Sequence, residues 1–200
     1  MAQLPHVVTT LVASFTWIGF GIAGKSCFRN SEQKTPWKST LVAGALVCTF
    51  VQLAAIVLAK PVSDAWCWTG VICFLTAHVL LWWALLTHGK ARPAFAFTSG
   101  APISLAQAGP YRVLRHPIYS AYLLAWIAAP LATAQLWLLL PAAAMACLYY
   151  RAARQEENSF LTSSFAPQYK EYQGRTGMFL PKIIRSSSRP ANAVSELQDL

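Results

Sequence analysis

Residues Gly109–Tyr119 read GPYRVLRHPIY, a basic, proline-bearing segment set between two long apolar runs. Its core, Arg115-His116-Pro117-Ile118-Tyr119, places a cation, an imidazole and a phenol where an apolar run resumes. Ionisable groups at such a boundary are costly unless something pairs with them. Pro117 suits the first turn of a helix, because its missing N–H would find no partner there anyway. The N-terminal end of that helix favours an anion. His116 and Tyr119, three residues apart, would then sit on one face. A plainer interfacial loop, with Arg115 reaching out to lipid phosphate, fits the same residues.

The surroundings are those of a membrane protein. Of the 200 residues, 56% are hydrophobic and only 12% charged, about half the roughly 25% charge of soluble domains. The net charge of +9 is spread over loops and does not interleave with aromatics in a soluble patch, so nucleic acid is not an expected partner. Cys27, Cys48, Cys67, Cys73 and Cys147 show no metal-ligand spacing, and their odd number implies no simple disulfide framework. No lysine or arginine precedes the first apolar run, which reads as a span and not as a cleaved signal peptide.

Apolar stretches cover about Val7–Gly24, Leu41–Ala59, Trp66–Thr87 and Ile118–Tyr150. The first three match the roughly 20 residues of one crossing. The fourth has 33 residues, or roughly 50 Å at about 1.5 Å per residue. Pro130 and Pro141 interrupt it, so it reads as a helical hairpin turning within Pro130–Gln135, giving five spans. Lysine and arginine mark the cytoplasmic side. They cluster in the first loop (Lys25, Arg29, Lys34, Lys38), the third (Lys90, Arg92, Arg112, Arg115) and the tail after Tyr150. Five spans put these segments on one face, with the N-terminus non-cytoplasmic and the C-terminus cytoplasmic. The tryptophans fall mostly near span ends, as interfacial anchors do. Gly19, Gly21 and Gly24 suggest close helix packing.

Two more groups follow the hairpin: Arg151, Arg154, Glu156 and Glu157 on an outgoing helix, then Phe165, Tyr169, Tyr172, Thr176 and Phe179-Leu180-Pro181. Arg154 and Glu157 are spaced to pair. The aromatics suit either the cap of a site or a piece lying on the membrane surface.

Taken together, Gly109-Pro110-Tyr111, Arg115-His116-Pro117-Ile118-Tyr119, Glu157 with Leu161, Phe165-Tyr169-Tyr172 and Phe179-Leu180-Pro181 resemble the signature of the isoprenylcysteine carboxyl methyltransferase family. The broader relatives of that family include the phospholipid N-methyltransferases. The resemblance covers about residues 66–182. It implies an all-α, polytopic membrane protein of five transmembrane helices, the last two a hairpin, with a cytoplasmic C-terminal helical cofactor-binding region. Residues 1–185 would form one methyltransferase domain, and 186–200 a flexible polar tail. The implied cofactor is S-adenosylmethionine, contacted by Ile103, Ser104, Leu105, Ala106, Tyr111, His116, Pro117, Ile118, Tyr119 and Glu157, with a one-residue slip to Glu156 left open. Prenylcysteine enzymes bind the substrate carboxylate with an arginine one turn before the glutamate; that position here is Ala153, so Arg154, or else Arg151, is the candidate.

The function these features imply is S-adenosylmethionine-dependent methylation of a lipophilic, membrane-resident acceptor, with a prenylcysteine-like carboxylate foremost. The expected partners are that lipophilic or lipidated substrate and the bilayer, with no metal and no obligate protein partner. The bacterial cytoplasmic membrane and the endoplasmic reticulum both suit the chain. A sterol-reductase-like enzyme using NADPH shares an Arg-His-Pro-x-Tyr type motif, and a non-catalytic scaffold of the same fold is the other alternative.

Overall fold

The computed structural model describes residues 3–26, 36–60, 63–88, 102 and 104–182. Cys27, Lys90, Arg92, Ile103 and the expected tail after Arg185 lie outside the described residues. Among the described residues six helices follow one another: α1 (Gln3–Ser26), α2 (Pro36–Leu58), α3 (Asp64–His88), α4 (Pro117–Thr133), α5 (Leu139–Leu161) and α6 (Ala166–Arg175). Short 3₁₀ turns at Gly109–Arg112 and Leu136–Leu138 lead into α4 and α5. Among the described residues, three helical stretches are long and apolar enough to cross a membrane: Leu4–Lys25, Asp64–Thr87 and Leu136–Leu161. The apolar lengths Val42–Leu58 and Pro117–Thr133 are shorter.

α3 and α4 make the most extensive helix pair. Their contact is built from small side chains: Ala77 and Ala84 of α3 and Ala121, Ala125, Ala128 and Ala129 of α4 are fully buried. At Gly70 a β-carbon would stand 2.4 Å from that of Ala132, so the two backbones approach as closely as glycine permits. Small residues of this kind drive helix association where no hydrophobic force acts between helices. Gly19 does the same between α1 and α3, where a β-carbon would meet the His78 ring, whereas Gly21 and Gly24 face open space. The expectation of close packing therefore holds at the first of the three.

The hairpin is present and reverses inside the expected Pro130–Gln135 stretch, at its far end and not at the proline. α4 runs through Pro130 to Thr133, and the chain reverses at Ala134, whose φ of 54° is left-handed. The reason lies on α2. A proline at 130 removes the N–H that would bond the carbonyl four residues back, that of Trp126. Fully buried Gln52 donates to this carbonyl instead, Nε2 to O 2.9 Å. A neighbouring helix thus supplies the missing donor, and the helix continues.

Two tryptophans also depart from the interfacial expectation. Trp17 and Trp126 are buried in the bundle with ring centroids 4.8 Å apart. Trp66, Trp68, Trp83 and Trp137 are exposed near helix ends, as anchoring requires. Beyond Tyr150 the composition of α5 turns polar, and this half of the helix carries the chain past the apolar bundle.

Candidate functional site

The signature segment is locked in place by its backbone before any side chain acts. Val113–His116 runs beside Gly177–Met178 as a minimal parallel pairing. Arg115 N–H donates to Gly177 O at 2.8 Å, Gly177 N–H to Val113 O at 3.1 Å, and His116 N–H to Met178 O at 3.1 Å. A β-carbon at Gly177 would fall 1.7 Å from Leu180 O, so only glycine makes this turn. At the other end Gly109 has φ +53°, and a β-carbon there would collide with Thr87. The buried Tyr172 hydroxyl of α6 donates to Tyr111 O at 2.7 Å and lies 3.2 Å from Leu114 O. Burial pushes this phenol up to about 12, which keeps it a donor.

His116 is the N-cap of α4 and Pro117 its first residue, as the sequence predicts. The side chains then converge on two carboxylates of α5. Glu157 is 1% exposed and saturated. Its Oε1 takes Arg115 Nε at 2.7 Å and lies 3.3 Å from His116 Nε2, and its Oε2 accepts from Gln173 Nε2 at 3.2 Å. Arg154, half exposed, approaches the same Oε2 at only 3.8 Å. Arg115 does not reach out to lipid: it is buried in this pair, with Nη1 2.5 Å from Thr176 O. Burial alone would raise the Glu157 carboxyl, but the hydrogen bonds from His116 and Arg115 prevail and hold it at about 2. Burial opposes the charge on His116, yet the two flanking carboxylates outweigh it and raise its pKa.

Glu156 is placed differently. Its side chain is 34% exposed, accepts a short hydrogen bond from the Tyr119 hydroxyl and lies 3.6 Å from His116 Nδ1. The rings of His116 and Tyr119 stack at 5.6 Å, and Tyr119 stacks on Tyr149 at 5.4 Å. The buried Ser120 hydroxyl lies 2.8 Å from Phe179 O, which seats the Phe179 ring 6.0 Å from that of His116.

Of the residues singled out in the sequence, Tyr111, His116, Pro117, Ile118, Tyr119 and Glu157 are buried and gathered here. Ser104, Leu105 and Ala106 lie on the approach to the 3₁₀ turn, Ser104 exposed and the other two half-buried. Arg154 turns toward an open groove of about 450 Å³ shared with Tyr150, Arg151 and Asn158. Sequence reasoning missed Gln173, whose hydrogen bond to Glu157 depends on how α6 folds back, whereas Thr176, singled out in the sequence, joins the network through its carbonyl. Among the described residues no group of three or more histidine, cysteine, aspartate or glutamate side chains is placed to hold a metal ion.

The profile described as phospholipid methyltransferase matches residues 65–168, a span that takes in α3, the signature loop, the hairpin and both glutamates. The chain belongs to the phospholipid methyltransferase family. Two curated proteins are similar to it. One is the cobalt-zinc-cadmium resistance protein CzcN of Cupriavidus metallidurans, 31% identical over 69% of this chain and 62% of that protein. The other is methanethiol S-methyltransferase 2 of Bradyrhizobium diazoefficiens, 31% identical over 63% of this chain and 51% of that one. The matched regions thus span about half to three-fifths of the length of these relatives. The family resemblance carried by the Arg-His-Pro-x-Tyr segment is borne out. In this family member the signature residues form one continuous polar cluster at the end of an apolar bundle.

Proposed function

We propose that this protein is an integral membrane methyltransferase that moves a methyl group from S-adenosylmethionine to a lipophilic acceptor. The observation that carries the reading is the cluster itself: the family's signature histidine and a glutamate meet at 3.3 Å across 41 residues of sequence, beside aromatic faces. The residues suit such a donor. A sulfonium and an ammonium are matched by a reachable carboxylate and by the rings of Tyr119, Tyr149 and Phe179. The donor's carboxylate is matched by the first turn of α4, whose leading N–H groups have no partner within the helix. Ser104, Leu105, Ala106, Tyr111, His116, Pro117, Ile118 and Tyr119 would hold the donor, with Ile103 on the same approach. Glu157 would set the charge of the wall through Arg115 and His116. When bound, the donor supplies an activated methyl group, and the chain contributes positioning and exclusion of water.

In this reading α1 to α5 all cross the bilayer, with the site on the cytoplasmic face where the lysines and arginines gather. The acceptor enters sideways from the membrane. A carboxylate acceptor would depend on Arg154 for its cation. The thiol in the name of the Bradyrhizobium relative supports counting acceptors other than carboxylates among the candidates. Titration with S-adenosylhomocysteine in detergent tests the assignment. Saturable binding is expected, and His116→Ala should abolish it while the protein stays folded. A well-folded wild type that binds nothing refutes the function.

A further inference from the structure

The last three turns of α5 carry opposite charges on opposite sides. Ala152, Ala153 and Glu157 turn inward and are buried. Tyr119 packs on the two alanines, with Met178 and Phe179 beside them, and closes this inner stripe. Arg151, Arg154, Gln155 and Asn158 turn outward and are exposed. These four follow the i, i+3, i+4, i+7 spacing of a single helix face, and together with Tyr150 they line an open groove of about 450 Å³. Ser159 and Thr162 also line it, but their hydroxyls donate within the helix, to Gln155 O at 3.1 Å and to Asn158 O at 3.0 Å.

The groove offers positive charge that its own chain does not neutralise. No carboxylate lines it. Among the described residues the ion pairs leave Arg151 out. Arg154 has only Glu157 Oε2 near it, at 3.8 Å, and that oxygen already accepts from Gln173 at 3.2 Å. Like charges one turn apart on a helix repel, and an oxyanion seated between them reverses the sign of the interaction. Guanidinium groups present paired N–H donors that suit a phosphate or carboxylate.

The depth of the groove selects the oxyanion. α5 is long and apolar enough to cross a membrane. Below the groove the same face continues turn by turn through Leu140, Ala143, Ala144 and Cys147, all exposed and apolar. Tyr150, 51% exposed, stands where this lane changes from apolar to cationic, the place of an interfacial aromatic. From Arg151 to Asn158 the helix climbs roughly 10 Å at about 1.5 Å per residue, enough to pass through the roughly 5–8 Å of headgroups on each side of the hydrocarbon core. A ligand matched to the whole lane carries hydrocarbon at one end and an anion at the other. A free phosphate matches only the cationic part.

We propose that the outer face of α5 binds an anionic glycerophospholipid, its phosphate between Arg151 and Arg154 and an acyl chain along Ala143, Ala144 and Cys147. The face is turned away from His116 and Tyr119, so this lipid is a bound partner and not a methyl acceptor. The inference uses only the crossing of α5 and stands apart from the donor reading.

Binding of radiolabelled dioleoylphosphatidylglycerol to the full chain in dodecyl maltoside tests it. Dioleoylphosphatidylcholine, inorganic phosphate and dodecanoate serve as competitors. Saturable binding of phosphatidylglycerol is expected, with all three competitors much weaker. Arg151→Gln and Arg154→Gln should each weaken it about 5-fold, and the double variant about 30-fold, on the scale of one basic residue at an anionic surface. Lys25→Gln/Lys170→Gln removes the same charge from exposed positions on other helices and should leave the affinity within about 2-fold, since attraction of this kind fades within a Debye length. Thermal melting confirms that each variant is folded, and the single variants decide the matter if the double one is not. Equal weakening by the lysine pair would reduce the effect to net charge and overturn the site. Equal competition by phosphatidylcholine, or displacement of the lipid by inorganic phosphate, overturns the lipid assignment. Dodecanoate outcompeting phosphatidylglycerol makes the groove a carboxylate site and overturns it as well, as does a wild type that binds no phosphatidylglycerol.

Discussion

Gln52 and Pro130 should be coupled in a way that changes the sign of a mutation. Gln52 Nε2 donates to Trp126 O at 2.9 Å, the carbonyl that Pro130 deprives of its helical partner. Its Oε1 is buried without a hydrogen bond. Gln52→Met keeps the volume and removes both features. With Pro130 present, the substitution strands a buried carbonyl, which costs about 1–3 kcal/mol. Relief of the unpaired Oε1 offsets part of this, and hydrogen bonds between membrane helices average about 0.6 kcal/mol with a maximum near 1.7. A net loss of about 1 kcal/mol is expected. With Pro130→Ala, the residue 130 N–H satisfies Trp126 O within α4, and Gln52→Met should then be neutral or slightly stabilising. The cycle is measured by reversible denaturation in bicelles, and its interaction energy isolates the pair. Equal costs of Gln52→Met in the two backgrounds would refute the argument that Gln52 repairs the helix.

Gly109→Ala forces a β-carbon onto Thr87 at a φ of +53°; such strain costs on the order of 1–3 kcal/mol, and it should lower both thermal stability and S-adenosylhomocysteine affinity because the same segment carries Tyr111. The charge cluster should give stability a plateau in pH. Glu157 is lowered from 4.5 to about 2, so its contribution is present above 4.5 and fades as the pH falls toward 2. His116 is raised from 6.5, so its contribution is complete below 6.5 and fades as the pH rises through the raised value. Melting temperature against pH should therefore be highest between these limits, and His116→Asn should remove the decline on the alkaline side. Glu157→Gln leaves Arg115 buried against a neutral partner, a change that typically costs about 3–5 kcal/mol; survival of the full melting temperature would show that the pair contributes little.

The parts of this protein legible in its sequence are those set by composition and by near neighbours. Among the described residues, three helices long enough to span, two shorter apolar ones, the start of α4 at Pro117 and the unbroken run of α5 through Arg151–Leu161 follow from hydropathy and the chemistry of proline. The gathering of His116, Tyr119 and Glu157 is legible through the family motif. The expected turn stretch Pro130–Gln135 holds the reversal at Ala134, but that α4 continues through Pro130 was not legible, because a proline ends or spares a helix according to whether a neighbour supplies the lost hydrogen bond. That donor, Gln52, lies 74 residues from the carbonyl it serves and looks in sequence like an isolated polar residue in a span. Trp17 and Trp126 misled for a related reason: a tryptophan reads alike at an interface and in a bundle core until its partner ring is known. Gln173 entered the site through the fold-back of α6, which carries no periodic signal.

The same distinction bears on Ala153. In sequence it is a departure, an alanine where prenylcysteine enzymes have a substrate-binding arginine, and Arg154 next to it looks like a replacement moved by one residue. One residue on a helix is a turn of about 100°, and the structure shows what that turn does. Ala153 faces Tyr119 on the buried stripe, whereas Arg154 looks into the open groove beside Arg151 and Asn158. The cation has therefore left the face that Glu156 commands. Ala153→Arg tests this directly. If the carboxylate-binding arrangement were intact but for this one side chain, the substitution should create methylation of S-farnesylcysteine. The packing of Tyr119 over Ala153 instead requires that it displace the phenol from Glu156, so the expected result is a lower melting temperature and no transfer to that carboxylate. Efficient methylation of S-farnesylcysteine by Ala153→Arg would overturn this account of the face.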